Sequence, residues 1–171
     1  MGILVCGLNG SGKSTLGRAL AAALRLRFLD SEDLYFPDGR FDVPRTREEF
    51  LAALDAATRE GDFVFASVKG NGVQALRERI SLAIWVDAPR ETRLQRVRER
   101  SFRRFGERML PGGDLHAAEE RFFAQVASRS DEEMRAWAAQ LPWPVLRVDG
   151  TRPVQALVPE ICTWISETTG L

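Results

Sequence analysis

Apolar residues fall along this chain in two rhythms that follow one another. Residues 3–6 are a short, continuous apolar run, the pattern of a strand buried on both faces. Leu16, Leu20, Ala23 and Leu24 then recur at helical spacing. Arg27-Phe28-Leu29 predicts a brief second strand. Residues 46–59 predict a helix carrying Phe50, Leu51, Leu54 and Ala57 on one side, ended by Gly61. Residues 63–66 and 82–86 predict a third and a fourth strand. Pro89 suits the first turn of the next helix, whose apolar stripe is Leu94 and Val97. A polar stretch containing Gly and Pro covers residues 101–114. Residues 115–140 predict one long helix, stopped by Pro142 and Pro144. Residues 145–148 are a fifth strand. Val154, Leu157, Val158, Ile161 and Ile165 mark a last helix, with Pro159 placed to kink it. The order reads β-α-β-α-β-α-β-α-β-α, which predicts an α/β fold with a parallel sheet and helices on both faces.

Composition narrows this picture. A length of 171 residues suits one domain with one core, spanning residues 1–171. With 44% apolar and 28% charged residues, the chain reads as globular. Basic and acidic residues both number 24, so no global field favours nucleic acid or an anionic membrane. The charge is uneven, however, because residues 90–108 hold eight arginines against three glutamates. Cys6 and Cys162 lie far apart in apolar runs and read as buried free thiols. The opening lacks a basic leader, and no apolar run approaches the ~18 residues of a membrane span, so a cytoplasmic protein is expected. Only two lysines, Lys13 and Lys69, stand among 22 arginines. Both lie in glycine-rich loops, which suggests that they are chemically required.

Gly7-Leu8-Asn9-Gly10-Ser11-Gly12-Lys13-Ser14 fits the phosphate-binding pattern G-x-x-x-x-G-K-[ST] at every position, between a buried strand and an apolar helix. Glycines let successive backbone N–H groups curl around phosphate oxygens, and the helix beginning near Lys13 directs its positive end at them. Lys13 then meets the β- and γ-phosphates, Ser14 is placed to ligate Mg²⁺, and Thr15 continues the same helix turn. A triphosphate with Mg²⁺ is therefore expected.

With this loop at the extreme N-terminus, the chain resembles the shikimate, gluconate and nucleoside monophosphate kinase group of P-loop proteins. Asp30-Ser31-Glu32-Asp33-Leu34 resembles that group's D-x-D-type element, residues 90–108 its Arg-rich helix and lid, and Val148-Asp149-Gly150-Thr151 its adenine-holding loop. The resemblance implies a three-layer α/β/α P-loop NTPase fold with sheet order 2-3-1-4-5, and ATP-dependent transfer to a small acceptor. The G-protein N-K-x-D motif is absent.

Kinase chemistry needs a carboxylate near the attacking oxygen. Asp30, at the end of the second strand, fits a Mg²⁺-side role, and Glu32 or Asp33 fits the acceptor role; by resemblance the family's second acid falls on Glu32. The acceptor-binding segment is expected at about residues 30–60. In the related kinases an arginine at the position of Arg45 or Arg47 can grip an acidic acceptor. The loop Lys69-Gly70-Asn71-Gly72 matches a glycine-rich acceptor loop of shikimate kinase. The third strand ends Ala66-Ser67 without a Walker-B aspartate, which leaves magnesium to Ser14, water and Asp30 or Ser67. Arg100, Arg103, Arg104 and Arg108 are candidates to close over the transferred charge from a lid at about residues 101–114, with Arg104 and Arg108 favoured as catalytic. Arg90, Arg93, Arg96 and Arg98 read as a solvated basic face. Arg129, on the stripe of Phe122 and Val126, is expected either to face substrate or γ-phosphate or to form a structural salt bridge. His116 reads as a surface residue beside the lid.

These residues predict an ATP- and Mg²⁺-dependent small-molecule kinase with a hydroxylated metabolite as acceptor. Nucleic acid and membrane are not expected partners, and the assembly is expected to be a monomer or homodimer. A nucleoside or nucleotide kinase and a regulatory P-loop ATPase are the alternatives.

Overall fold

The computed structural model describes residues 1–37, 43–70 and 72–170. Its centre is a five-stranded parallel sheet of order β2-β3-β1-β4-β5. The strands are β1 (Gly2–Cys6), β2 (Arg27–Asp30), β3 (Phe63–Ser67), β4 (Ile80–Asp87) and β5 (Val145–Asp149). The central strand β1 is buried at every residue, as its unbroken apolar run requires. Register brings the strands' C-terminal ends level, with Cys6 opposite both Ser67 and Trp85, and Asp30 opposite Ala66. One edge of the sheet thus collects the loops that carry chemistry.

Side chains leave β1 alternately for two cores. Leu4 joins Phe50, Leu54, Phe65, Leu76 and Met134 on one face; Ile3 and Val5 join Leu16, Leu20, Leu157, Ile161 and Ile165 on the other. Helices α1 (Lys13–Leu24) and α7 (Val154–Thr169) cover the second face. The first is covered by α3 (Arg47–Thr58) and α6 (Asp131–Ala138). The N-terminus of α3 is secured by a capping box, in which the Thr46 hydroxyl accepts from Glu49 N and the Glu49 carboxylate accepts from Thr46 N. A short α2 (Ser31–Tyr35) follows β2 directly. Helix α7 runs on through Pro159.

Three expectations are corrected. The strict strand–helix alternation fails between β3 and β4, where residues 72–79 form turns held by bonds such as Leu76 N to Gly72 O and Ile80 N to Leu76 O. The polar stretch from residue 101 begins as helix, since α4 runs Arg90–Phe105 before a 3-10 turn at Gly106–Met109. Buried Val97, Met109, Phe123 and Val126 explain this by packing the turn onto α5 (His116–Ala127). Finally, residues 115–140 are two helices, α5 and α6, because Ser130 caps α6 by accepting from Glu133 N. Ser130-Asp131-Glu132-Glu133 carries this capping signature in the sequence itself. The break takes Arg129 off the helical stripe and into the connection.

Cys6 is buried and Cys162 half-buried, both as free thiols. No helix among the described residues is long and apolar enough to cross a membrane.

Candidate active site

The loop after β1 turns through Gly10 and Gly12, both with positive φ (81° and 101°), before α1 begins at Lys13. Gly10 has a second constraint, because a Cβ there would lie 2.2 Å from the Arg93 carbonyl oxygen. Ser11 N donates to Leu8 O across the turn. Asn9 Oδ1 and Ser11 Oγ are buried without a hydrogen-bond partner in the structure. Lys13 is 8% exposed, and no carboxylate among the described residues lies within ion-pair reach of its ammonium. Burial lowers the Lys13 pKa; the charges of Asp30 and Glu32 oppose that shift, and those of Arg100 and Arg129 add to it. A buried, unpaired ammonium and an orphan hydroxyl beside inward-curled glycines are a fit for phosphate oxygens. Ser14 is half-buried and Thr15 exposed on the first turn of α1.

The same five charges define the rest of the cleft. Asp30, 8% exposed, ends β2 and caps α2 by accepting from Glu32 N at 2.9 Å. Across the cleft, Arg100 Nη1 from α4 stands 4.0 Å from Glu32 Oε2. Asp33 is an exposed residue, yet partial burial of its carboxyl and the Asp30 charge raise its pKa, with Arg18 opposing. Arg18 itself lies over the Phe28 ring at 4.6 Å. Arg129 is half-buried, and desolvation alone lowers its pKa.

Two acceptor-side cations, Arg45 and Lys69, are engaged elsewhere, and Arg47 is an exposed residue at the start of α3. Arg45 Nη1 donates to Leu34 O at 2.6 Å. Lys69 Nζ pairs with Glu133 Oε2 at 3.0 Å. Gly70 has positive φ and open space around it, whereas Asn71 lies outside the described residues. Among the described residues no cluster of three or more His, Cys, Asp or Glu could hold a metal. A cation at Ser14 and Asp30 would draw most of its ligands from phosphate and water.

On the donor side, Asp149 Oδ1 accepts from Thr151 N and Oγ1, an Asx-type turn that holds the Asp149 carboxyl below its usual range. Gly150 N donates to Asp87 O at 2.6 Å. Among the lid arginines, the Arg104 guanidinium lies over the Phe105 ring, 5.3 Å from its centroid. Arg108 makes two bonds to Asp114, at 3.0 and 2.6 Å. Arg103 is exposed. His116 Nδ1 contacts Met109 O at 3.0 Å.

The solvated reading of Arg93 and Arg96 is overturned. Arg96 Nη1 donates to Gly150 O at 2.9 Å and lies 3.4 Å from both Gly10 O and Ser11 O, joining the phosphate loop to the loop after β5. Arg93 is 1% exposed; its Nε donates to Ala88 O and its Nη2 pairs with Asp131 at 2.6 Å. Arg93, Val97 and Ser101 are the buried residues of α4, four apart. That i, i+4 spacing through Val97 was the available sequence signal.

A parallel sheet of this order, with Gly7–Ser14 at the tip of its central strand, defines a P-loop nucleotide-binding fold. The AAA-domain family model matches residues 3–107. Among individual proteins, the chain is 29% identical over 175 residues to the uncharacterised protein YqaC of Bacillus subtilis strain 168, covering 96% of this chain and 97% of that one. It is 34% identical over 151 residues to a shikimate kinase of Symbiobacterium thermophilum, covering 74% and 83%. The structure of the Aquifex aeolicus shikimate kinase superposes with a TM-score of 0.60 over 99% of this chain and 98% of that one, at 19% identity. The chain belongs to the AAA-domain family of P-loop proteins and to the P-loop small-molecule kinase group that includes the shikimate kinases.

Proposed function

We propose that this chain transfers the γ-phosphoryl group of ATP to a hydroxyl of a small metabolite. The observation that carries the reading is the confrontation of Glu32 with Arg100 at 4.0 Å, over a buried Lys13 whose protonation responds to both. Acid and cation meet there as phosphoryl transfer needs them, the acid to orient and deprotonate the attacking hydroxyl, the cations to hold the charge that develops.

In this scheme Gly7, Asn9, Gly10, Ser11, Gly12, Lys13, Ser14 and Thr15 hold the triphosphate. Asp149, Gly150 and Thr151 border the base. Ser14 and Asp30 hold Mg²⁺, which neutralises phosphate charge when bound. Glu32 or Asp33 accepts the hydroxyl proton as the acceptor oxygen bonds to the γ-phosphorus and the bond from that phosphorus to the bridging oxygen breaks, releasing ADP. Lys13, Arg100 and Arg129 stabilise the charge on the transferred group, with Arg104 and Arg108 as the lid's contribution. Lys69, Gly70 and Asn71 border the acceptor.

Lys69 is paired with Glu133 and Arg45 is bonded to Leu34 O, which supports an acceptor that carries hydroxyls rather than several anionic groups. A nucleoside acceptor is a second reading, supported by Tyr35, which is partly exposed beside the acids and packs edge-on against Phe36 and Phe50.

The test is ADP release with ATP and Mg²⁺ against a panel of hydroxy acids, sugar acids, polyols and nucleosides. At least one should raise ADP release well above basal hydrolysis, and Lys13→Met should abolish the rise. A panel that never exceeds basal hydrolysis, or full turnover by Lys13→Met, would sink the proposal.

A further inference from the structure

Arg93 has no part in that scheme, yet it is the largest fully buried side chain among the described residues. A buried guanidinium is unfavourable unless it is paired, so its partners deserve a physical reason. Asp131, its ion-pair partner, is the first residue of α6. The backbone carbonyl of Arg93 itself lies directly against Gly10, where a Cβ would approach within 2.2 Å. Arg93 therefore touches the phosphate loop with its main chain and α6 with its side chain.

Other bonds converge on the same connection. One turn earlier on α4, Arg90 Nη2 donates to Ala127 O, the last residue of α5, at 2.6 Å. Glu133, two residues beyond Asp131, is held by Lys69. Residues 128–130 are thus pinned at one end by Arg90 and at the other by Arg93, and Arg129 is the middle residue. Its half-buried guanidinium gains no compensating acid, so it does not hold itself in place. A long, unpaired arginine released from such a position would turn to solvent.

We infer that the Arg93–Asp131 pair is a positioning device that anchors the α5–α6 connection to the underside of the phosphate loop and so aims Arg129 at the γ-phosphate. This rests on the reading that the site binds a triphosphate. Arg93 would act through Arg129 and never touch the substrate.

The experiment measures binding of Mg·ADP and of Mg·adenosine 5′-(β,γ-imido)triphosphate by calorimetry. The proteins are the unmodified chain, Asp131→Ala, Asp131→Asn, Arg129→Gln and the double variant Asp131→Ala with Arg129→Gln. Asp131 is half-exposed, so its substitution opens no core cavity, but Asp131→Ala leaves buried Arg93 without its acid, and thermal melts are run on every variant so that only folded protein is titrated. Asp131→Ala should weaken the triphosphate analogue about tenfold, the loss of one charge-assisted hydrogen bond, with ADP changed by less than about twofold. Asp131→Asn, which keeps an acceptor for Arg93, should recover most of that loss. The double variant should bind no worse than Arg129→Gln alone.

Equal weakening of ADP and the analogue by Asp131→Ala would overturn the inference, as would an Asp131→Ala effect that persists undiminished without Arg129. An unchanged ratio in Arg129→Gln overturns it too, while leaving the kinase reading standing. Failure of the unmodified chain to bind either nucleotide would refute the underlying reading itself.

Discussion

Replacing Gly150 by alanine would drive a methyl group between two loops that the fold holds in contact. The new Cβ would lie 2.3 Å from Ser11 O, 2.9 Å from Val86 Cγ1 and 3.2 Å from Asp87 O. Carbon–oxygen contacts close in to about 3.3 Å, so the phosphate loop and the loop after β5 must separate by about 1 Å. Two of the three obstructing atoms are backbone, so no rotamer change relieves the clash. The separation also pulls on Arg96, whose Nη1 bonds Gly150 O and reaches Gly10 O and Ser11 O. Overpacking of this kind costs about 1–3 kcal/mol. At about 2–4 °C per kcal/mol for a chain of this size, Tm should fall by about 2–12 °C. A displacement of about 1 Å beside the chemistry can cost about a hundredfold in rate, so ADP affinity and turnover should fall further than stability alone explains. Thermal melts and calorimetric titration with Mg·ADP measure both. Gly70→Ala is the control: its φ is positive but nothing lies within 4 Å, so only backbone strain of about 1–2 kcal/mol is expected. A Gly150→Ala protein with unaltered Tm and ADP affinity would refute the steric reasoning.

Three further outcomes are expected. Arg100→Gln should lower affinity for the triphosphate analogue more than Arg108→Gln does, because Arg100 acts on Lys13 while Arg108 is bonded to Asp114; competitive titrations showing the reverse order would make Arg108 the principal phosphate contact. Leu54→Ala, at a fully buried position in the α3 core, should cost about 2–5 kcal/mol in denaturant unfolding. Burial pushes the Cys6 thiol up to about 12 from 9.0. The native state therefore favours the protonated thiol, and that contribution is intact below pH 9 and is lost as pH rises towards 12, at about 1.4 kcal/mol per pH unit. Cys6→Ala should move the alkaline unfolding midpoint to higher pH, and an unmoved midpoint would count against it.

The sheet was legible because its inner strands β1, β3 and β4 are buried on both faces and register as apolar runs, while the edge strands β2 and β5 keep shorter apolar stretches. The phosphate loop was legible because its residue types are dictated by close backbone approach to phosphate, as Gly10 illustrates against Arg93 O. The split of α5 from α6 was also written, in Ser130 and Glu133, but the apolar periodicity runs through the break and masks it. Arg93 and Arg96 were misread for a different reason. An arginine's burial is decided by which acceptors lie near it, and Asp131 and Gly150 are 38 and 54 residues away in sequence. The same non-local dependence separates Arg100 from Arg108: local composition makes them equivalent, while Glu32 and Asp114 give them different partners.

The anchoring of α4 has a mechanical consequence. Arg93 and Arg96 fasten the base of the helix to the phosphate loop, and from Arg96 to Phe105 it projects by about 14 Å as a stiff rod. Its far part is not free, because Val97 and Met109 pack with Phe123 and Val126 of α5, so the rod, the turn after it and α5 form one lever on the clamp. Because the clamp bonds are made to carbonyls of Gly10, Ser11 and Gly150, a shift in the loop that cradles phosphate is transmitted along the rod as leverage. The phosphate loop and the Gly106–Asp114 segment are thereby joined through a single helix.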